Sequence, residues 1–107
     1  MDDLLCGQVL DKLYALMCRT LTPEMMKELL WTLSNIVCHS HAAVKTFIQH
    51  EIFQKSCEYL ESAYFNLRIE ANLIVSNVFS TCSVVEAITV ITQIVPNILE
   101  LHFKGLE

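Results

Sequence analysis

Glycine and proline are almost missing from this sequence, with two of each in 107 residues. So few backbone breakers cannot supply the frequent turns of a sandwich or barrel, so long helices with short connections are expected. Charge is thin at 18% and tilted, with 7 Lys and Arg against 12 Asp and Glu, and no basic cluster occurs anywhere. Nucleic acid demands such a cluster and is therefore not an expected partner. A net charge of −5 suits a basic peptide instead. The opening Met1-Asp2-Asp3 lacks the basic stretch and apolar core of a secretory signal, which points to a reducing compartment. The five cysteines, an odd number scattered through apolar runs, are expected to be small core residues without disulfides. Only residues 83–103 approach membrane length, and Glu86, Gln93, Pro96, Glu100 and His102 interrupt them, so two soluble helices divided near Pro96 are expected.

Apolar residues, by contrast, make up 53% of the chain, and the mean hydropathy is +0.43. The length allows one domain with a modest core, and this composition gives it more apolar surface than such a domain usually hides. Some of that surface expects a neighbour.

The sequence repeats itself. Ser34-Asn35 recurs as Ser76-Asn77, an offset of 42 residues, and the same shift pairs Glu28 with Glu70, Ile52 with Ile94 and Glu58 with Glu100. It also carries the apolar stripe Met25, Leu29, Thr32 and Ile36 onto Leu67, Ala71, Ile74 and Val78, both at helical spacing. A helical period of this length indicates armadillo or HEAT units.

Caps and periodicity place the helices. Cys6 to Cys18 forms the first, and Thr22-Pro23 opens a second that runs over 24–38, with Thr as N-cap and Pro at the first helical position. Ser40 caps a short helix to about His50, and the stripe Phe53, Cys57 and Leu60 marks another from Ile52 to Glu61. Asn66 begins a long helix ending near Ser80. Ser83 with Glu86 makes a capping box for the next short one, and Ile94-Val95-Pro96 begins the last, ending by Gly105.

Short, middle and long helices in succession match the three-helix armadillo unit better than the two-helix HEAT unit. The fold expectation is therefore an all-α, armadillo-type α-solenoid of about two repeats. Residues 6–18 and 24–38 form the middle and third helices of one repeat, 40–80 a full repeat and 83–104 the start of the next. Solenoids gain stability from three or more units with polar caps, so a piece of a longer array is expected.

Glu28, Trp31 and Asn35 share one face of the second helix, off its apolar stripe, and the repeat shift carries them onto Glu70, Leu73 and Asn77. Asn offers both a donor and an acceptor to an extended backbone, and Trp offers a face to Lys or Arg, with a cation-π gain of about 0.5–2 kcal/mol. The segment from Glu28 through Trp31 and Asn35 to Ile36 resembles the W-x-x-x-N third helix of the importin-alpha (karyopherin-alpha) armadillo family. Phe47-Ile48 to Ile52-Phe53 and Arg68-Ile69-Glu70-Ala71 to Asn77 continue in register, so the resemblance spans residues 24–103.

That resemblance implies a protein-binding module of the cytoplasm and nucleus, acting in nuclear import. It implies no catalysis, no cofactor and no membrane. Trp31 and Asn35 would bind a nuclear-localisation peptide, Asn77 would hold its backbone, and Glu28 and Glu70 would line the groove.

This sequence also departs from the pattern. Leu73 replaces a second Trp, Cys38-His39-Ser40-His41 and Ser80-Thr81-Cys82-Ser83 replace Gly-rich turns, and no basic importin-beta-binding segment precedes the repeats. An armadillo scaffold for protein association or self-association, without peptide import, is the alternative. On that alternative Trp31 is a packing residue, and Asn35 and Asn77 make hydrogen bonds between repeats. Cys38, His39 and His41 lack the paired couples and fourth ligand of a zinc site, and His50 and His102 stand alone. No nucleophile elbow or phosphate loop occurs.

Overall fold

The computed structural model describes residues 3–19, 21–38, 40–94, 96–98 and 100, with side chains described from Cys6 onward. Among the described residues all regular structure is helical. The order is α1 (Asp3–Met17), α2 (Pro23–Val37), α3 (His41–Ile48), α4 (Glu51–Cys57), α5 (Phe65–Thr81) and α6 (Val84–Thr89). A 3₁₀ turn at Glu58–Glu61 prolongs α4, and a π turn at Val90–Ile94 prolongs α6. The chain is all-α, as its scarcity of glycine and proline predicts.

Local chemistry accounts for most of the helix starts. The Thr22 hydroxyl accepts the Met25 N–H at 3.2 Å with Pro23 in the first turn, and the Ser40 hydroxyl accepts the Ala43 N–H at 3.1 Å. Ser83 and Glu86 close the predicted box, with bonds of 3.1 and 2.8 Å.

Helix α4 has a cap that was not foreseen. The Nδ1 of His50 accepts the Ile52 N–H at 3.1 Å, so the ring proton sits on Nε2, which donates to the Asp11 carboxylate at 2.6 Å. Its ring stands edge-on to Tyr14, with centroids 5.8 Å apart, so one histidine both starts α4 and ties it to α1. Helix α5, in contrast, has Tyr64 at its N-cap and no side-chain cap at all.

Two boundaries differ from expectation. Helix α1 begins at Asp3 rather than Cys6. The last expected helix falls mostly on residues outside those described, although Ile98 is fully buried.

The core centres on Phe47 and Phe53, whose rings lie 5.2 Å apart and tilted by 55°, with Val44, Ile52 and Leu60 around them. The Phe53, Cys57, Leu60 stripe is buried as expected. Cys6 and Cys57 are buried and Cys82 half-buried, but Cys18 and Cys38 are exposed because they fall just past the ends of α1 and α2. None of the five takes part in a disulfide.

The repeated stripe needs a correction on α2. Leu67, Ala71, Ile74 and Val78 are all buried, yet of their counterparts only Leu29 is, while Thr32 and Ile36 are half-buried and Met25 is 55% exposed. The core of α2 instead uses Met26, Leu29, Leu30, Leu33, Ser34 and Val37. The cause is position. Helix α2 packs mainly on α5 and also on α3 and α1, and among the described residues the Met25 end of its stripe is left outside those contacts.

Helices α2 and α5 run side by side in the same direction. Their starts share one pocket, and near their ends the Asn77 amide donates to the Ser34 carbonyl at 3.1 Å, a bond spanning 43 positions. Elsewhere His50 reaches Asp11 across 39 positions and Gln54 reaches the Ile94 carbonyl across 40. Side-chain bonds between helices thus fall close to the internal sequence period.

Candidate peptide-binding face

On α2, residues three and seven apart lie over one another, and Glu28, Trp31 and Asn35 are all exposed along one edge. Trp31 is 53% exposed, which removes it from the core. A Trp this open presents one ring face to solvent, at a site where apolar area is normally hidden. Its counterpart Leu73 is 46% exposed, so both helices turn the same position outward.

The α5 members sit differently. Asn77 is half-buried, and its side-chain nitrogen is engaged by the carbonyl of Ser34, beside the peptide bond that joins Ser34 to Asn35. One hydrogen of its donor group is therefore used between helices, leaving its oxygen as an acceptor. Glu70, seven positions earlier, lies on the same flank of α5, facing α2. It is half-buried, and one carboxylate oxygen is withdrawn from solvent without a hydrogen-bond partner. An unsatisfied carboxylate oxygen is the kind of group that a cationic donor would complete. Asn72 resembles it in part: its nitrogen donates to the Arg68 carbonyl at 2.9 Å, while its buried oxygen has no partner.

At the start of the face lies a pocket of about 390 Å³, bounded by Pro23, Glu24 and Lys27 of α2 and by Tyr64, Phe65 and Asn66 at the beginning of α5. Arg68 is held away from bulk solvent partners. Its Nη1 donates to the Ser62 carbonyl at 2.9 Å, and its guanidinium lies 5.4 Å from the centre of the Phe65 ring. Of the charges on the α2 edge, Glu24 and Glu28 face solvent beside Lys27.

The structure therefore gathers Glu28, Trp31 and Asn35 on one edge and brings Asn77 against the neighbouring peptide group. Two contributors escaped the sequence reading: Ile69, exposed one turn before Leu73, and Ser34, whose carbonyl receives Asn77. The first was legible, since Ile69 and Leu73 are four apart and off the buried stripe. The second was not, because a carbonyl acceptor carries no residue signature.

Other chemistry finds little support in the side chains. His41 Nε2 lies 3.1 Å from Glu86 and joins α3 to α6, while both nitrogens of His50 are occupied. Burial pushes the Cys57 thiol up to about 12, which makes it an inert apolar group. Among the described residues no group of three or more His, Cys, Asp and Glu is placed to hold a metal, and His39 lies outside them. No described helix is long and apolar enough to cross a membrane. Comparisons with known protein families, with curated proteins and with solved structures return no match.

Proposed function

We propose that this chain is an armadillo-type module, similar to importin-alpha, that holds a basic, extended peptide across the edges of α2 and α5. On this reading α3, α4 and α5 make one repeat and α1 with α2 the end of the one before. The near-period spans of four inter-helix side-chain contacts among the described residues, 39, 40, 43 and 45 positions, support that division. The observation that carries the function is the openness of Trp31 between Glu28 and Asn35 on a long helix. A lysine or arginine stem packs on the indole, its charge is met by Glu28 and Glu70, and Asn35 clamps the peptide backbone. Cargo binding for nuclear import, in cytoplasm and nucleus, is the role this activity would serve.

One observation favours the scaffold alternative. The Asn77 amide is already bonded to Ser34, so this member of the face serves to hold the two helices together.

Trp31 is the only Trp, so its emission reports this face alone. Titration with a basic nuclear-localisation peptide is expected to shift that emission with weak affinity. Leu73→Trp should tighten binding and Asn35→Ala abolish it. If calorimetry on folded protein shows neither change, the peptide reading fails and the scaffold reading replaces it.

A further inference from the structure

The two halves of the face differ in chemistry, and this inference rests on the peptide-binding reading. On α2 the outward positions one turn apart are Lys27 and Trp31, and the repeat shift carries them onto Ile69 and Leu73 of α5. Both α5 residues are large, apolar and nearly half exposed, at 44% and 46%. An isolated exposed Leu is ordinary, but two stacked on successive turns beside an open Trp form a strip. The neighbouring cation on α5 does not interrupt this strip, because Arg68 is tied to the Ser62 carbonyl and stacked on Phe65. On the α2 side, Glu24 and Glu28 are exposed, and Glu70 between the helices keeps one buried oxygen unpaired.

We infer that the face selects an extended peptide carrying one basic residue and one large apolar residue, the basic one over Trp31 and Glu28 and the apolar one on Ile69 and Leu73. A run of successive basic residues would place its second cation on an apolar strip with no aromatic face. An extended chain turns every second side chain to the same face, about 6.7 Å apart, and neighbouring packed helices lie about 8–10 Å apart, so the two side chains stand two positions apart and reach outward to the two helices. Charge argues against a second copy of this chain as the occupant, since each carries a net charge of −5 and the strip is bordered by carboxylates.

The test compares fluorescein-labelled Gly/Ser peptides of equal length that carry either Lys and Leu or Lys and Lys at that spacing, titrated against the unsubstituted chain. The Lys-Leu peptide is expected to bind about tenfold more tightly, from partial burial of one leucine. Replacing Ile69 and Leu73 together by Ser should remove that advantage, bringing Lys-Leu binding down to the level of Lys-Lys on the same variant. Equal or tighter binding of Lys-Lys overturns the inference and leaves the peptide reading standing. If neither peptide binds while circular dichroism shows the helical chain intact, both fall. The peptide comparison uses the native sequence, so its outcome does not depend on any variant folding.

Discussion

Helices α2 and α5 are built on the same pattern 42 residues apart, yet the shared stripe is fully buried on only one of them. Leu67 is 4% exposed and its counterpart Met25 55%, though both occupy the first position of the same stripe. Helix α5 rests against α2 and has no side-chain cap, whereas α2 is capped by Thr22 and leaves its own stripe half open. Burial here follows from a residue's neighbours in space and not from its place in the pattern.

That contrast can be broken most directly at the paired stripe positions. Leu67→Ala should destabilise the chain by about 2–5 kcal/mol, as buried Leu truncations do, and Met25→Ala by less than about 1 kcal/mol. Urea denaturation followed by circular dichroism measures both, and similar losses would show that α2 is covered by something not described. The caps come next. Thr22→Ala should lose about 0.5–2 kcal/mol, whereas Tyr64→Ser should gain a fraction of that by supplying the cap α5 lacks. Thermal melts of the two variants would move in opposite directions.

A smaller effect separates the two asparagines. Asn77→Ala should lose about 0.5–1.5 kcal/mol with its bond to Ser34, while Asn35→Ala should leave stability nearly unchanged and affect peptide binding alone. Equal destabilisation would mean that Asn35 also has a structural partner.

The smallest effect is an acid one. The Ser83 backbone N–H holds the Glu86 carboxyl below the ordinary carboxylate range, aided by the Ser83 side chain and by His41. A depressed carboxyl contributes stability that is present above its unfolded value and lost as pH falls through the folded one. Glu86→Gln should therefore flatten the fall in melting temperature below the ordinary carboxylate range and leave the neutral region with a small uniform change.

The helices themselves were legible because their signals are local. Thr22-Pro23, Ser40 and the Ser83–Glu86 box each act within three residues, and each appears where the sequence places it. The outward set Glu28, Trp31 and Asn35 was legible for the same reason, since helical spacing alone puts them on one edge. What the pattern could not give depends on distant elements. Met25 reads as core because its repeat mate is core, yet the helices packed on α2 leave that position exposed. His50 reads as an isolated side chain because its partner Asp11 stands 39 positions away. The commitment of Asn77 to Ser34 was likewise open, one of two readings that the residue type permits equally.

The spans of the described side-chain bonds between helices, 39 to 45 positions, also bear on how the chain acquires its shape. Closing a loop of that size loses entropy that grows only with the logarithm of its length, so each closure is modest and none waits on the joining of the two termini. Helices of low sequence separation form quickly, and rates of this kind fall as contacts become more distant. Nucleation can then begin at either half and spread by one helical layer at a time.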